Sequence, residues 1–153
     1  MGKGSSSTDS NNSSNNNVGI GQTLKTDYFE VTVSKAETTP KIKATDEYSS
    51  DKLAGEGNKY LVMTTTFKNI DKETRTLIDG GKVFINYNGK DYKFDTPESI
   101  LEEGYGVFLD PINPLISKTT KIVFKLPADI KGPAYYSPSR ADDDERIFLG
   151  NLD

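Results

Sequence analysis

The sequence predicts an all-β protein, an antiparallel β-sandwich of about seven or eight strands with one short helical turn. Three observations predict it. The first is residues 59–69, the longest run of β-branched and aromatic residues, which contains neither Gly nor Pro. Leu61, Met63, Thr65 and Phe67 fall on one face of such a strand, and Tyr60, Val62, Thr64 and Thr66 on the other. A strand usable on both faces belongs in the middle of a sheet. The second is Asn88-Gly89 between residues 83–87 and 90–94, the preferred two-residue hairpin turn because both central residues need positive φ. The third is the recurrence of short period-two segments with turn signals between them, and no repeat of the length that marks propellers or solenoids.

In chain order, residues 1–17 hold six Ser, five Asn and two Gly, with Met1 the only apolar residue. They cannot bury anything and are expected to form a disordered tether with a reach of roughly 20–25 Å. The domain is expected to occupy residues 18–153, beginning with a short edge strand or lead-in over 18–21. Residues 28–34 alternate, with Phe29, Val31 and Val33 inward. Residues 36–58 are polar and without period, which leaves two readings, a mobile loop or a binding surface. A turn over 70–74 leads to a short strand over 75–78, which Gly80 and Gly81 break.

The hairpin turn fixes a register pairing Tyr87 with Lys90, Ile85 with Tyr92 and Val83 with Phe94, so that Val83, Ile85, Tyr92 and Phe94 share a face. Residues 96–104 read as the helical turn, with Thr96 as cap, Pro97 at the first position and Gly104 at the exit. Pro111 and Pro114 enforce an extended path after residues 105–109. Residues 118–126 form a strand with Thr120, Ile122, Phe124 and Leu126 inward. Residues 131–133 and 137–138 are turns, and residues 146–149 form the last strand.

Composition limits the chemistry. There is no Cys, so a disulfide, a thiolate zinc site and a Cys nucleophile are excluded. There is no His, which removes the commonest general base and transition-metal ligand. The net charge of -4, without a basic block, argues against nucleic acid as a partner. No segment approaches the roughly 18 consecutive apolar residues of a membrane helix. Ser34-Lys35 and Ser117-Lys118 are adjacent pairs that point to opposite strand faces, and Glu102-Glu103 offers two carboxyls of unknown separation. The chain is therefore expected not to be an enzyme and to need no cofactor. Asp142, Asp143, Asp144 and Glu145 offer oxygen ligands suited to calcium, but without the alternating spacing and Gly of an EF-hand loop. Tyr105, Tyr135 and Tyr136 lie in or near expected loops, where tyrosines stack on sugars, anchor a protein partner or seal the ends of a sandwich.

Several segments together resemble one family. They are Val18-Gly19-Ile20-Gly21, the strand from Tyr60 to Phe67 closing with Lys68-Asn69, and the hairpin through Asn88-Gly89-Lys90-Asp91-Tyr92. Asn113-Pro114-Leu115 and Val123-Phe124 followed by Pro127 complete the set. The chain is similar to the telokin-like, immunoglobulin-related domain of unknown function found in small lipoproteins of Gram-positive bacteria. It departs from that pattern over residues 36–58 and 135–140. The resemblance implies an immunoglobulin-like sandwich outside the cell and carries no catalytic residues.

Gly2 followed by a Ser-rich tail is how many mature bacterial lipoproteins continue after their lipidated Cys. The natural protein is thus expected to sit at the cell membrane through an N-terminal lipid anchor, as a non-catalytic binding or accessory module. Its partner would be a cell-surface protein or glycan. The alternative is a secreted calcium- or glycan-binding module.

Overall fold

The structure, a computed structural model, describes residues 17–100, 104–105 and 110–153. Eleven strands run through these residues: β1 (Asn17–Gly19), β2 (Thr23–Lys25), β3 (Phe29–Thr39), β4 (Lys41–Ile42), β5 (Lys52–Leu53), β6 (Asn58–Asn69), β7 (Lys82–Tyr87), β8 (Lys90–Phe94), β9 (Ser117–Pro127), β10 (Gly132–Ser137) and β11 (Arg146–Leu152). They form a four-stranded sheet in the order β9-β6-β3-β2, a five-stranded sheet in the order β1-β11-β10-β7-β8, and the β4-β5 pair. All pairings are antiparallel except β1 with β11. The protein is a β-sandwich.

The period-two residues build the core. Phe29, Val31, Val33, Leu61, Met63, Phe67, Val83, Ile85, Ile122, Phe124 and Leu126 are all buried in one cluster. Their apolar faces meet because each sheet has one greasy side that water disfavours. The central position expected for residues 59–69 is also found, since β6 pairs with β3 on one side and β9 on the other. Its second face is occupied as well. Tyr60 and Val62 pack with Val123 under Ile42, Ala54 and Ile100 as a separate small cluster.

The hairpin forms in the expected register, Tyr87↔Lys90, Ile85↔Tyr92 and Val83↔Phe94. Its turn residues Asn88 and Gly89 have φ of 54° and 78°, the left-handed values this tight turn requires. Tyr92 is 39% exposed nonetheless, because β8 is the outermost strand of its sheet.

Four expectations are corrected. The described residues hold eleven strands rather than about seven or eight, the extra strands being short pieces whose few residues carry no readable period. Residues 36–58 are not one loop. β3 continues to Thr39 through a bulge between Val33 and Lys35, and a bulge inverts the inward phase, so the period-two pattern breaks there. Ile42 and Ala54, beyond it, fold back as lids on the second face of β6.

The third correction is the helical turn. Residues 96–100 run without helix, and Glu98 N–H donates to Val123 O at 2.7 Å. Lys121 N–H likewise donates to Gly104 O at 2.8 Å. These segments run along the free edge of β9, and satisfying an open strand edge outweighs a helical propensity of a few residues. The helical expectation over 101–103 and residues 106–109 lie outside the described residues, as do residues 1–16 of the tether. Of 75–78, only Arg75 pairs, as an isolated bridge with Ile112.

The fourth correction has the largest consequence. Residues 132–137, bracketed by Gly132-Pro133 and Ser137-Pro138, form β10, the middle strand of the five-stranded sheet. Proline removes a ladder donor, but Pro133 stands opposite Asn151 of β11, and pairing with β7 begins only at Ala134.

Candidate functional site

The solvent face of the five-stranded sheet carries the site. Lateral registers align Lys93, Phe84, Tyr135, Phe148 and Gly19 in one row across β8, β7, β10, β11 and β1. An antiparallel sheet ordinarily presents polar residues on its wet face, and three neighbouring aromatics depart from that rule. The tilted rings of Tyr135 and Phe148 have centroids 5.3 Å apart. Arg146, two strand positions before Phe148 and so on the same face, folds over the row, its guanidinium 3.9 Å from the Phe84 centroid and 5.8 Å from that of Tyr135. That cover is why Phe84 is buried while Phe148 stays 37% exposed.

A bulge at Ala134/Tyr135 skips Leu149 in the pairing with β11. It leaves Ile147 and Leu149 buried in the core cluster, with Phe148 between them on the solvent face. Beside the aromatic row opens a cleft of about 440 Å³ lined by Asn86, Asp91, Pro133, Tyr135, Asp144 and Arg146. Asn86 Nδ2 donates to Asp91 Oδ1 at 3.0 Å. Arg146 Nε donates to Asp143 O at 2.6 Å. A second, smaller cavity of about 210 Å³ lies between the hairpin and the β9–β10 turn, lined by Tyr87, Tyr92, Phe94, Pro127, Asp129 and Ile130.

The three tyrosines singled out by sequence separate. Tyr135 stands at the centre of the aromatic row. Tyr136, its neighbour, points the other way because successive strand residues alternate. It is fully buried in the core, its hydroxyl donating to Gly80 O at 2.8 Å. It is therefore no part of a binding surface, and burial pushes its phenol far above the usual tyrosine range. Tyr136→Phe is expected to cost about 1–3 kcal/mol, since it strands a buried carbonyl; chemical denaturation measures it. Tyr105 packs against the small cluster on the opposite sheet, with Lys121 Nζ 5.4 Å from its ring centroid.

The acidic turn is held by hydrogen bonds rather than gathered around one point. Asp143 pairs with Lys82 Nζ at 2.5 Å, Glu145 Oε1 accepts from Asp142 N–H at 2.8 Å, and Asp144 lines the cleft. Among the described residues no cluster of three or more acidic side chains is placed to hold a metal ion. The adjacent Ser and Lys residues do not converge either. Ser34 Oγ donates to Thr64 O, while Lys35 and Lys118 pair with Glu37 and Asp110. Glu102 and Glu103 lie outside the described residues.

The hydrogen bond from Lys82 holds the Asp143 carboxyl below its ordinary 3.8. The same contact raises Lys82. A carboxylate depressed on folding adds stability that is present above its unfolded value and lost as pH falls through its folded value. The melting-temperature difference between the native protein and Asp143→Asn is thus expected to be constant near neutrality and to shrink as pH falls below about 4. A difference unchanged on acidification overturns the assignment.

One residue with a structural role was not signalled by sequence. Lys59, on the inward face of β6, donates through Nζ to Ile130 O at 2.7 Å and Asp153 O at 2.9 Å. Desolvation lowers its ammonium group below the ordinary lysine value, partly opposed by Asp129 and Asp153. Nothing in a strand pattern marks an inward Lys as satisfied by carbonyls from elsewhere.

Solved structures share the architecture. An uncharacterized β-sandwich protein of Clostridium difficile 630 superposes with a TM-score of 0.62 at 20% identity, covering 86% of this chain and 91% of its own. A conserved hypothetical protein from Bacillus anthracis gives 0.63 at 17%, covering 87% and 95%. A candidate lipoprotein of Bacillus subtilis subsp. subtilis str. 168 gives 0.52 at 14%, covering 86% of this chain and 38% of its own. At such identities the likeness establishes the fold. No curated protein matches the chain. The sequence profile of DUF4352, a domain of unknown function, spans residues 18–143, from β1 through Tyr135 and short of Arg146 and Phe148. On that match the chain belongs to the DUF4352 family.

Proposed function

We propose that this protein is a non-catalytic binding or accessory module on the outer side of a Gram-positive cell membrane, built on a telokin-like, immunoglobulin-related sandwich and held by an N-terminal lipid. The observation that carries the binding reading is the aromatic row of Phe84, Tyr135 and Phe148 on a solvent-facing sheet, beside the cleft at Asn86 and Asp91. Phe84 is covered by Arg146, but Tyr135 is half-buried and Phe148 37% exposed, and adjoining aromatic surface left open to water favours a covering ligand or partner. The cleft's polar side chains are amide, carboxylate, phenol and guanidinium, suited to recognition by hydrogen bonding.

Anchoring is supported by one sandwich neighbour being itself a candidate lipoprotein. Two acyl chains on a preceding Cys would suffice for stable attachment. The test is the gene together with fractionation of the native cell. An upstream apolar leader ending in a small-residue box and Cys, with the protein in the membrane fraction, is the expected result. Met1 as the native start, with the protein in the cytosol, overturns the reading.

A further inference from the structure

We propose that the cleft on the solvent face of the five-stranded sheet binds a carbohydrate, with a pyranose ring of a neutral oligosaccharide lying on Tyr135 and Phe148. The inference rests on the binding reading above and not on the lipid anchor. Three properties select the ligand. The Tyr135 and Phe148 rings, 5.3 Å apart and tilted by 45°, form a shallow two-ring platform. The C–H face of a pyranose is apolar enough to cover such a platform, while its rim stays polar, and an aromatic surface beside hydrogen-bonding groups matches that dual character.

The second property is the mixture of acceptors and donors at the rim of the platform. Asp91 Oδ1 is taken by Asn86 Nδ2, which directs Asp91 Oδ2 and Asn86 Oδ1 to accept from a ligand. Arg146 Nε is taken by Asp143 O, so donation to a ligand falls to its terminal amino groups, and Asp144 adds a further acceptor. Neighbouring hydroxyls of a sugar both donate and accept, and each finds its complement here.

The third property is charge. Two carboxylates, Asp91 and Asp144, flank one guanidinium in the cleft, on a protein of net charge -4. With Lys93 at the end of the aromatic row, the local charge is mixed and offers no basic patch to polyanions such as nucleic acid or teichoic-type phosphate chains. The polar lining equally disfavours an apolar side chain, which would strand Asp91 and Asn86 without water. A cleft of about 440 Å³ is within the usual range for small-ligand sites.

The test is an NMR titration of the full chain with cellohexaose, chitohexaose and maltohexaose. The expected result is that at least one of them moves amide resonances of Tyr135, Phe148 and Asn86. Tyr135→Ala and Phe148→Ala should each weaken that binding about tenfold or more. Tyr135→Phe, which keeps the ring, should retain most of the affinity, and Tyr105→Ala on the opposite sheet should leave it unchanged. Phe148 is already part-exposed, so its truncation tests the platform even where Tyr135→Ala fails to fold. No movement of cleft resonances with any of the three sugars up to about 10 mM overturns the proposal. So does binding that Phe148→Ala leaves intact. Either failure leaves the anchored-module reading standing or falling on the fractionation result alone, and capture of a protein through the same row would support that reading while overturning this one.

Discussion

Phe124→Ala is expected to cost about 3–5 kcal/mol, a large part of the whole stability of a domain of this kind. Phe124 is fully buried on the inward face of β9, between Ile122 and Leu126 along the strand and opposite Leu61 of β6. Its ring fills the space between two sheets, and the surrounding strands are tied by ladders that limit their collapse into the void. Lost transfer energy and an unfilled cavity therefore add. Denaturant titration of both proteins measures the loss, and the melting temperature should fall by roughly 10 °C or more. A neutral truncation would show that β9 does not present this face to the core.

Gly132→Ala is expected to be comparably severe, at about 3 kcal/mol or more, for a different reason. Gly132 has φ of +118°, where a side chain is strained. A Cβ there would also press into the backbone oxygen of Asn86 on β7. No rotamer change can relieve a contact between backbone and Cβ, so β7 and β10 must separate. Gly89→Ala is the comparison, because it has φ of +78° with nothing within 4 Å of the new methyl. It should cost only about 1–2 kcal/mol, the backbone term alone. Equal losses at the two positions would show that the close approach does not matter. Because Asn86 and Pro133 line the cleft, the Gly132 variant should also lose any ligand affinity that the Gly89 variant retains.

The core was legible in the sequence because its signal is local. Phe29, Val31 and Val33, or Ile122, Phe124 and Leu126, alternate within a single strand, and burying one face requires nothing beyond that period. The hairpin was legible for the same reason, since Asn88-Gly89 dictates both turn and register. The course of residues 36–58 was not, because a bulge after Val33 breaks the phase while the lids Ile42 and Ala54 stand alone among polar neighbours.

The same contrast separates the two tyrosines of β10. By itself the sequence determined a two-layer β protein with a known set of inward residues, no Cys or His chemistry, and a mildly acidic surface. Only the tertiary structure decided that 132–137 is the central strand, and that Tyr135 faces water while Tyr136 faces the core. It also decided that Phe84, Tyr135 and Phe148 stand side by side. Those three residues lie on separate strands, and their alignment follows from which strands pair and where one bulge falls. Long-range hydrogen bonding sets both, and no local periodicity encodes them.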